Sequence, residues 1–400
     1  CLCRCVCELP LAVLTDITRA LPDEQVHTRL ASLTIQDFRN YDGCRLEIDA
    51  PKVLLLGENG SGKTNLMEAV SLLAPGRGLR RAKAEHLPRQ TTGRADWAVS
   101  ARVTSGGETV TLGTGVRADS DGLRRVMRRD GETVSQAEVG RLFSVSWLTP
   151  RMDGIFIDSP GARRRFLDRL VIAFDPAHIG RKSRYEKMLR ERTTLLSEGR
   201  SDDAWLSAIE ASLAESAVAV TAARQSLISD LNAEAAEGWF GFPGVALRLD
   251  GTLESWLEEG SALAAEDRFI ADARARRAAG DPGLAGPHAS DMSACNSQSG
   301  LSASLASTGQ QKALLIAVVL AHARLQARRL RRPPVLLLDD VVAHLDMARR
   351  GALFDAVDAV GGQTWFSGTD EDDFTGLEAQ PVRVEAPDRT ARIITPEDDQ

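Results

Sequence analysis

Eight consecutive residues, Gly57-Glu58-Asn59-Gly60-Ser61-Gly62-Lys63-Thr64, constrain this chain more than any other stretch. They fit the G-x-x-x-x-G-K-[ST] pattern, and the flanking sequence fits it too. Residues 53–56 read as a buried strand, while Leu66, Ala69, Val70 and Leu73 fall at i, i+3, i+4 and i+7, one face of a helix. A glycine turn between strand and helix lets backbone N–H groups curl around phosphates. Lys63 then reaches the β- and γ-phosphates and the Thr64 hydroxyl ligates Mg²⁺. The expectation is an α/β fold in which these eight residues bind a nucleotide.

A second apolar run, residues 335–338, ends in Asp339 and Asp340, the form of a buried strand that delivers carboxylates to such a site. Asp339 is suited to hold Mg²⁺ through water, and Asp340 to polarise an attacking water as general base. Shortly before it, Ser307-Thr308-Gly309-Gln310-Gln311-Lys312 opens a long apolar helical segment. Ser307 suits the N-cap of that helix. A helix N-terminus with a hydroxyl and a glycine can also receive an anion, here the γ-phosphate held by another subunit, so an ordinary cap and a binding element are both open.

Alternating apolar positions at residues 30–35, 44–50, 97–103 and 108–112, with an Asp130-Gly131 turn, predict an antiparallel layer on the same lobe. Residues 163–279 are rich in Ala, Leu, Arg and Glu and read as helices, apart from a strand signal at 245–251. Leu206, Leu213, Val220 and Leu227 recur every seven residues, a seam that can pack on the helix carrying Tyr185, Met188, Leu189 and Leu196. At about 1.5 Å per residue that helix reaches about 45 Å, an arm stub and not a long rod. Residues 280–307, dense in Gly, Pro, Ser and Asn, predict a linker. The division expected is a disordered or mis-started leader at 1–27, the P-loop part of a head lobe at 28–150, a helical arm lobe at 151–284, the rest of the head at 285–385, and a tail at 386–400.

Composition narrows the function classes. With 49 basic and 56 acidic residues the formal charge is -7, which lacks the overall basic footprint of a general nucleic-acid binder. Any DNA contact must come from local arginine clusters at residues 77–83, 124–129, 163–165 and 324–332, the last of which reads best as a solvated face. No aromatic residues interleave with them, so backbone contact to duplex or junction DNA is expected over base stacking. The apolar run at 313–321 falls well short of the roughly twenty residues of a spanning helix, so no membrane span is expected. Cys1, Cys3, Cys5 and Cys7 lack the two-residue gap and partnering His of a metal site, and Cys44 and Cys295 stand apart, so neither metal binding nor a disulfide framework is expected.

Ser307-Thr308-Gly309-Gln310-Gln311-Lys312 and the later Ala343-His344-Leu345-Asp346 resemble the signature and D-loop of ABC ATPases. Residues 37–41 (Asp37-Phe38-Arg39-Asn40-Tyr41), Arg77-Gly78-Leu79-Arg80-Arg81, residues 159–168, residues 185–196 and Gly286-Pro287-His288 resemble the RecF family specifically, in collinear order over about residues 28–385. The resemblance implies an ABC-type P-loop ATPase head with an antiparallel β layer and an inserted helical arm lobe. It implies ATP and Mg as cofactors and an ATP-dependent homodimer, each site joining the P-loop of one subunit to the signature of the other. By position, Lys63, Thr64 and Asp339 would bind nucleotide and Mg²⁺, Asp340 with Lys63 would serve hydrolysis, Ser307, Gly309 and Gln310 would complete the site in trans, and Arg39 would approach the phosphates from the first strand. It further implies gapped or junction DNA, bound without sequence preference, with RecR and RecO as partners and RecA loaded indirectly. The setting would be cytoplasmic recombinational gap repair and replication-fork recovery, served by a slow DNA-dependent ATPase acting as a switch.

Three positions depart from the pattern. Asp340 is one methylene shorter than the Glu common there across ABC ATPases, Ala289 follows Gly286-Pro287-His288 where Arg is usual, and no switch His lies near residues 366–369, which leaves Thr369 as candidate γ-phosphate sensor. The rival readings are an ABC-type ATPase subunit of a transporter, a long-armed chromosome-organising ATPase, a nuclease head, and an ATP-binding module without DNA clamp activity. The long interval from Gly57 to Ser307, the short arm and the short stretch after Asp340 argue against the first three in turn.

Overall fold

In the strands that carry the two motifs, successive side chains face opposite ways, and this alternation builds two cores on one sheet. The computed structural model describes residues 27–89, 96–119, 122–198, 202–386 and 390–394, so the leader expected at 1–27 lies outside the described residues apart from His27, as does most of the tail. Strands β1 (Thr28–Phe38), β2 (Tyr41–Glu47), β4 (Ala98–Ser105), β5 (Glu108–Asp119), β6 (Gly122–Arg129) and β7 (Glu132–Val134) form an antiparallel sheet in the order β2-β1-β4-β5-β6-β7. Asp130 and Gly131 both have positive φ, the backbone of the tight turn expected between β6 and β7.

The second sheet is mainly parallel. Its order is β14 (Arg392–Ile394), β13 (Gln380–Glu385), β3 (Lys52–Leu56), β12 (Thr364–Gly368), β11 (Val335–Asp339), β8 (Val145–Leu148), with only β14 antiparallel to its neighbour. The P-loop strand β3 and the carboxylate strand β11 therefore flank β12, whose Ser367 is in register with Asp339 on one side and Leu55 on the other. Val53, Leu55, Val335, Leu337 and Trp365 pack towards α1 (Lys63–Leu72) and the antiparallel sheet. Leu54, Leu56, Leu336, Leu338 and Phe366 pack the other way, into the core that holds α8 (Thr308–Leu330).

The helices of the second lobe begin after α2 (Gln136–Leu142): α3 (Pro160–Phe174), α4 (His178–Ser197), α5 (Asp203–Ala235), α6 (Thr252–Glu259) and α7 (Ala262–Ala278). Leu206, Leu213, Val220 and Leu227 of the seven-residue seam are all buried along α5. By length and composition α5 could cross a membrane, yet 56% of its most apolar window is buried inside the protein, as in a core helix.

The interval at 280–307 is more than the linker expected. It contains β10 (Asp291–Asn296), which pairs antiparallel with β9 (Val245–Asp250) across the expected lobe boundary at 284/285. Met292 and Ala294 point into the core. Composition concealed this strand because its apolar positions alternate with Asp, Ser and Cys and sit between true turns. Helix α9 (Met347–Val360) connects β11 to β12.

Candidate nucleotide site

The P-loop spans the turn between β3 and α1 and the first two residues of α1, Lys63 and Thr64, at the carboxyl ends of the parallel strands, where open α/β sheets bind ligands. Gly62 has φ 122°, and a Cβ there would lie 3.0 Å or less from Asn40, Tyr41 and Ala391. Only glycine permits both that backbone and that approach. Glu58, Asn59 and Gly60 are exposed, whereas Ser61 and Lys63 are buried. The Lys63 ammonium donates to the carbonyls of Gly57 at 2.6 Å and Glu58 at 2.9 Å. Burial pushes its pKa down, opposed by the charges of Asp340 and Asp339.

Across the sheet, Thr64 Oγ1 donates to both carboxylate oxygens of Asp339 at 3.0 Å. Ser367 Oγ donates to Asp339 Oδ1 at 2.8 Å and accepts from the Asp340 backbone N–H at 3.0 Å. Burial raises the Asp339 pKa above the usual carboxylate range, with the hydrogen bonds from Ser367 and Thr64 working against it. Asp340 sits just past the strand end with φ 50°, a conformation uncommon for a side-chain-bearing residue and concentrated at functional sites.

The donor set fits a nucleotide with Mg²⁺. A hydroxyl and one carboxylate meet where Mg²⁺ would share phosphate oxygens, and Ser61 Oγ is buried inside the loop with no hydrogen-bond partner.

The signature lies elsewhere. Ser307 caps α8 in a reciprocal box: its Oγ accepts from Gln310 N, and its N–H donates to the Gln310 side chain at 2.9 Å. Ser307, Thr308, Gly309 and Gln310 are exposed, and the space in front of Gly309 is open. Among the described residues, neither Ser307 nor Gln310 hydrogen-bonds to the P-loop. One chain thus unites Lys63, Thr64, Asp339 and Asp340 and leaves the signature apart.

Arg39 also differs from the expected approach to the phosphates. Its guanidinium pairs two-pronged with the fully buried Glu68 of α1 at 2.8 Å and donates to the His86 carbonyl at 2.8 Å. Its neighbours reach the loop instead: Asn40 donates to the Ser61 carbonyl at 3.2 Å and the Tyr41 hydroxyl to the Gly62 carbonyl at 3.2 Å. Thr369 is exposed beyond β12, while Ser367 on the strand makes the carboxylate contact. Sequence reasoning passed over Asn40, Tyr41 and Ser367; the alternation of β12 was the available signal for Ser367, which must face as Asp339 does once their strands pair in register.

The arginine clusters divide. Arg324 and Arg328 pair with Glu234, Arg329 pairs with Asp230, and Arg332 is buried against the carbonyls of Arg141 and Gly140, so the run at 324–332 is tied into the protein more than the solvated face expected. Arg125 is half-buried and its guanidinium is committed to the carbonyls of Gly76 at 2.5 Å and Leu72 at 2.8 Å, so it is not available to DNA. Arg163 pairs with Asp291 at 2.7 Å.

Comparison with known proteins gives a consistent picture. The family model for the RecF/RecN/SMC N terminal domain matches residues 29–366. The DNA replication and repair protein RecF of Agrobacterium fabrum is 43% identical over 354 residues, covering 87% of this chain and 94% of its own. RecF of Rhizobium meliloti is 44% identical over 355 residues with the same coverage. A solved structure of the recombination mediator protein RecF-ATPrS in the RecFOR pathway superposes with a TM-score of 0.78 at 21% identity, covering 93% of this chain and 99% of that one. The Pyrococcus furiosus Smc head domain with an extended coiled coil, bound to the C-terminal domain of ScpA, gives 0.51 at 15% identity, covering 92% and 96%. At those identities the solved structures establish the fold, an ABC-type ATPase head.

Proposed function

The chain belongs to the RecF family, and from that premise we propose that it is an ATP-dependent DNA-binding protein of recombinational gap repair and replication-fork recovery. The observation that carries the ATP reading is the convergence of Lys63, Thr64, Asp339 and Ser367 on one buried polar cluster beside a glycine cradle. When bound, Mg²⁺ would neutralise charge on the phosphate oxygens. Lys63 would exchange its two loop carbonyls for β- and γ-phosphate oxygens, Thr64 and Asp339 would hold the metal, and Ser367 would keep the Asp339 carboxylate turned towards it. Asp340 would polarise the attacking water, and its short side chain suits slow turnover and a switching role.

The exposed, open signature at Ser307, Gly309 and Gln310 supports a site completed by a second copy, each subunit's α8 N-terminus facing the other's γ-phosphate. ATP would then close a dimer on gapped or junction DNA without reading its sequence. RecR, RecO and, indirectly, RecA are the partners this reading assigns, in the cytoplasm.

Sedimentation of the wild type with ATP, with and without gapped duplex, tests it against Lys63→Ala and Ser307→Arg. The expected result is a dimer with ATP for the wild type and monomers for both variants. A wild type that stays monomeric with ATP and DNA present replaces the clamp with a one-subunit ATP-binding module.

A further inference from the structure

Between the head and the helical lobe runs a crevice of about 960 Å³. One end opens on Thr64, Asp339 and Asp340 and so adjoins the nucleotide site, while its mouth lies away from Lys63 and the glycine cradle, which do not line it. Its walls come from the loop after α1 on one side and from α3 and α4 on the other.

What sets the cations here apart is that several converge on one opening. Elsewhere exposed arginines divide between those with a carboxylate partner, such as Arg45, Arg268 and Arg383, and those without one among the described residues, such as Arg29, Arg184 and Arg190. Arg77, Arg81, Arg151 and Arg165 line the crevice, are exposed, and make no ion pair among the described residues. Arg81 adopts φ 57°, and partial burial of its otherwise exposed side chain, together with the nearby charges of Arg165 and Arg77, disfavours its own charge. Deeper in, Arg169 stacks on Trp147 at 4.4 Å, and its Nη2 is shielded from solvent with no partner. Burial drives its pKa down to about 9.

The crevice carboxylates other than Asp340, which sits at the end beside the nucleotide site, are already engaged. Asp168 is bound by Arg224 and His178, Glu186 by Lys182, and Asp339 by Thr64 and Ser367. Asp158 accepts from the Ser159 N–H at 2.6 Å. A chain of net charge -7 that gathers unpaired guanidinium groups from two lobes at one opening holds a preformed site for anions.

We propose that the mouth of this crevice is a phosphate-backbone site in which Arg77 and Arg81 of the head and Arg165 of the helical lobe together hold one DNA strand. The proposal rests on the DNA reading above and locates it. The loop that supplies Arg77 and Arg81 also supplies Arg80, which pairs with Glu68 at 3.2 Å and bonds Asn65, the residue after Thr64. A strand seated at the mouth would fix the two lobes relative to each other and steady the same loop that braces the P-loop helix.

The test is the salt dependence of binding to a gapped duplex with ATP, comparing wild type, an Arg77→Gln/Arg81→Gln/Arg165→Gln variant, and an Arg45→Gln/Arg248→Gln/Arg268→Gln control of equal charge change. Because each phosphate contact adds about 0.9 to the slope of log K on log salt, the crevice variant should bind about tenfold or more weakly, with a slope shallower by about 2 to 3. The control should keep the wild-type slope, and all three proteins should bind ATP and melt alike. Equal slopes for crevice variant and control overturn the site while leaving the DNA reading intact. A wild type that fails to bind DNA overturns both. If the crevice substitutions, placed in a Lys63→Ala background, abolish tripolyphosphate binding while the DNA slope is unchanged, the site takes a free anion and the DNA assignment falls.

Discussion

Asp339 is where opposing demands on one residue are easiest to see. Burial raises its pKa, so ionising it costs the nucleotide-free protein stability; the contribution is fully present below the ordinary carboxylate pKa and lost as pH rises through the raised one. Binding Mg²⁺ requires the ionised form and reverses that cost. Asp339→Asn should therefore melt at the same temperature as wild type or higher without nucleotide, and lose the stabilisation by Mg-ATP, which for wild type is about 2.7 kcal/mol at a hundredfold excess over Kd. Thermal melts with and without Mg-ATP measure both halves. In wild type, Mg-ATP affinity should begin to fall on acidification while still above the ordinary carboxylate range. Ser367→Ala removes one donor to that carboxylate and the acceptor for the Asp340 N–H, and should raise the Mg²⁺ requirement for ATP binding about tenfold, read by titrating Mg²⁺ at fixed ATP.

Single elements are held in place by buried cations that the sequence presents as mere basic clusters. Arg125 of β6 reaches the carbonyl of Leu72, the last residue of α1, and those of Ala74 and Gly76 just past it, so the antiparallel sheet closes the C-terminal end of the helix whose N-terminal end carries the P-loop. Burial lowers its pKa to about 10. Arg125→Met would leave those carbonyls unmatched and should cost about 3 kcal/mol in urea unfolding. In the second lobe, Asp168 of α3 meets His178 of α4 and Arg224 of α5, and Arg224 also donates to the Pro287 carbonyl. Burial alone would raise the Asp168 pKa, but His178 and Arg224 outweigh it and hold it at about 2. Its stabilisation is thus complete above the unfolded carboxylate pKa and fades as pH falls towards 2. Asp168→Asn leaves Arg224 buried without a counter-charge and should destabilise by about 3–5 kcal/mol at neutral pH, with a smaller difference in acid. Urea titrations at two pH values decide it.

At the scale of the whole molecule the P-loop cluster and the residues proposed to complete it in trans do not meet within one chain. The P-loop with its carboxylates occupies one place and the α8 N-terminus is exposed, so assembly and not folding would join them. Ser307→Arg should accordingly fold, losing only about 1 kcal/mol of capping, while failing to dimerise with ATP. Circular dichroism melting checks the fold and sedimentation the assembly. A variant that unfolds would give Ser307 a structural role alone.

Local periodicity and glycine spacing were enough to determine the P-loop between β3 and α1, the carboxylate strand β11, the Ser307 cap and the α5 seam, because each depends on neighbours a few residues away in the chain. The 280–307 interval read as a linker because the alternation in β10 is only two apolar residues deep, and the strand is stabilised by pairing with β9, some forty-five residues earlier. Pairing in register also set Ser367 beside Asp339, and packing of two lobes decided which arginines are paired, which are buried as caps and which stand free. A cluster of like residues looks uniform along a chain; only the tertiary structure assigns each guanidinium its carboxylate, its carbonyl or an open crevice, because those partners arrive from distant segments.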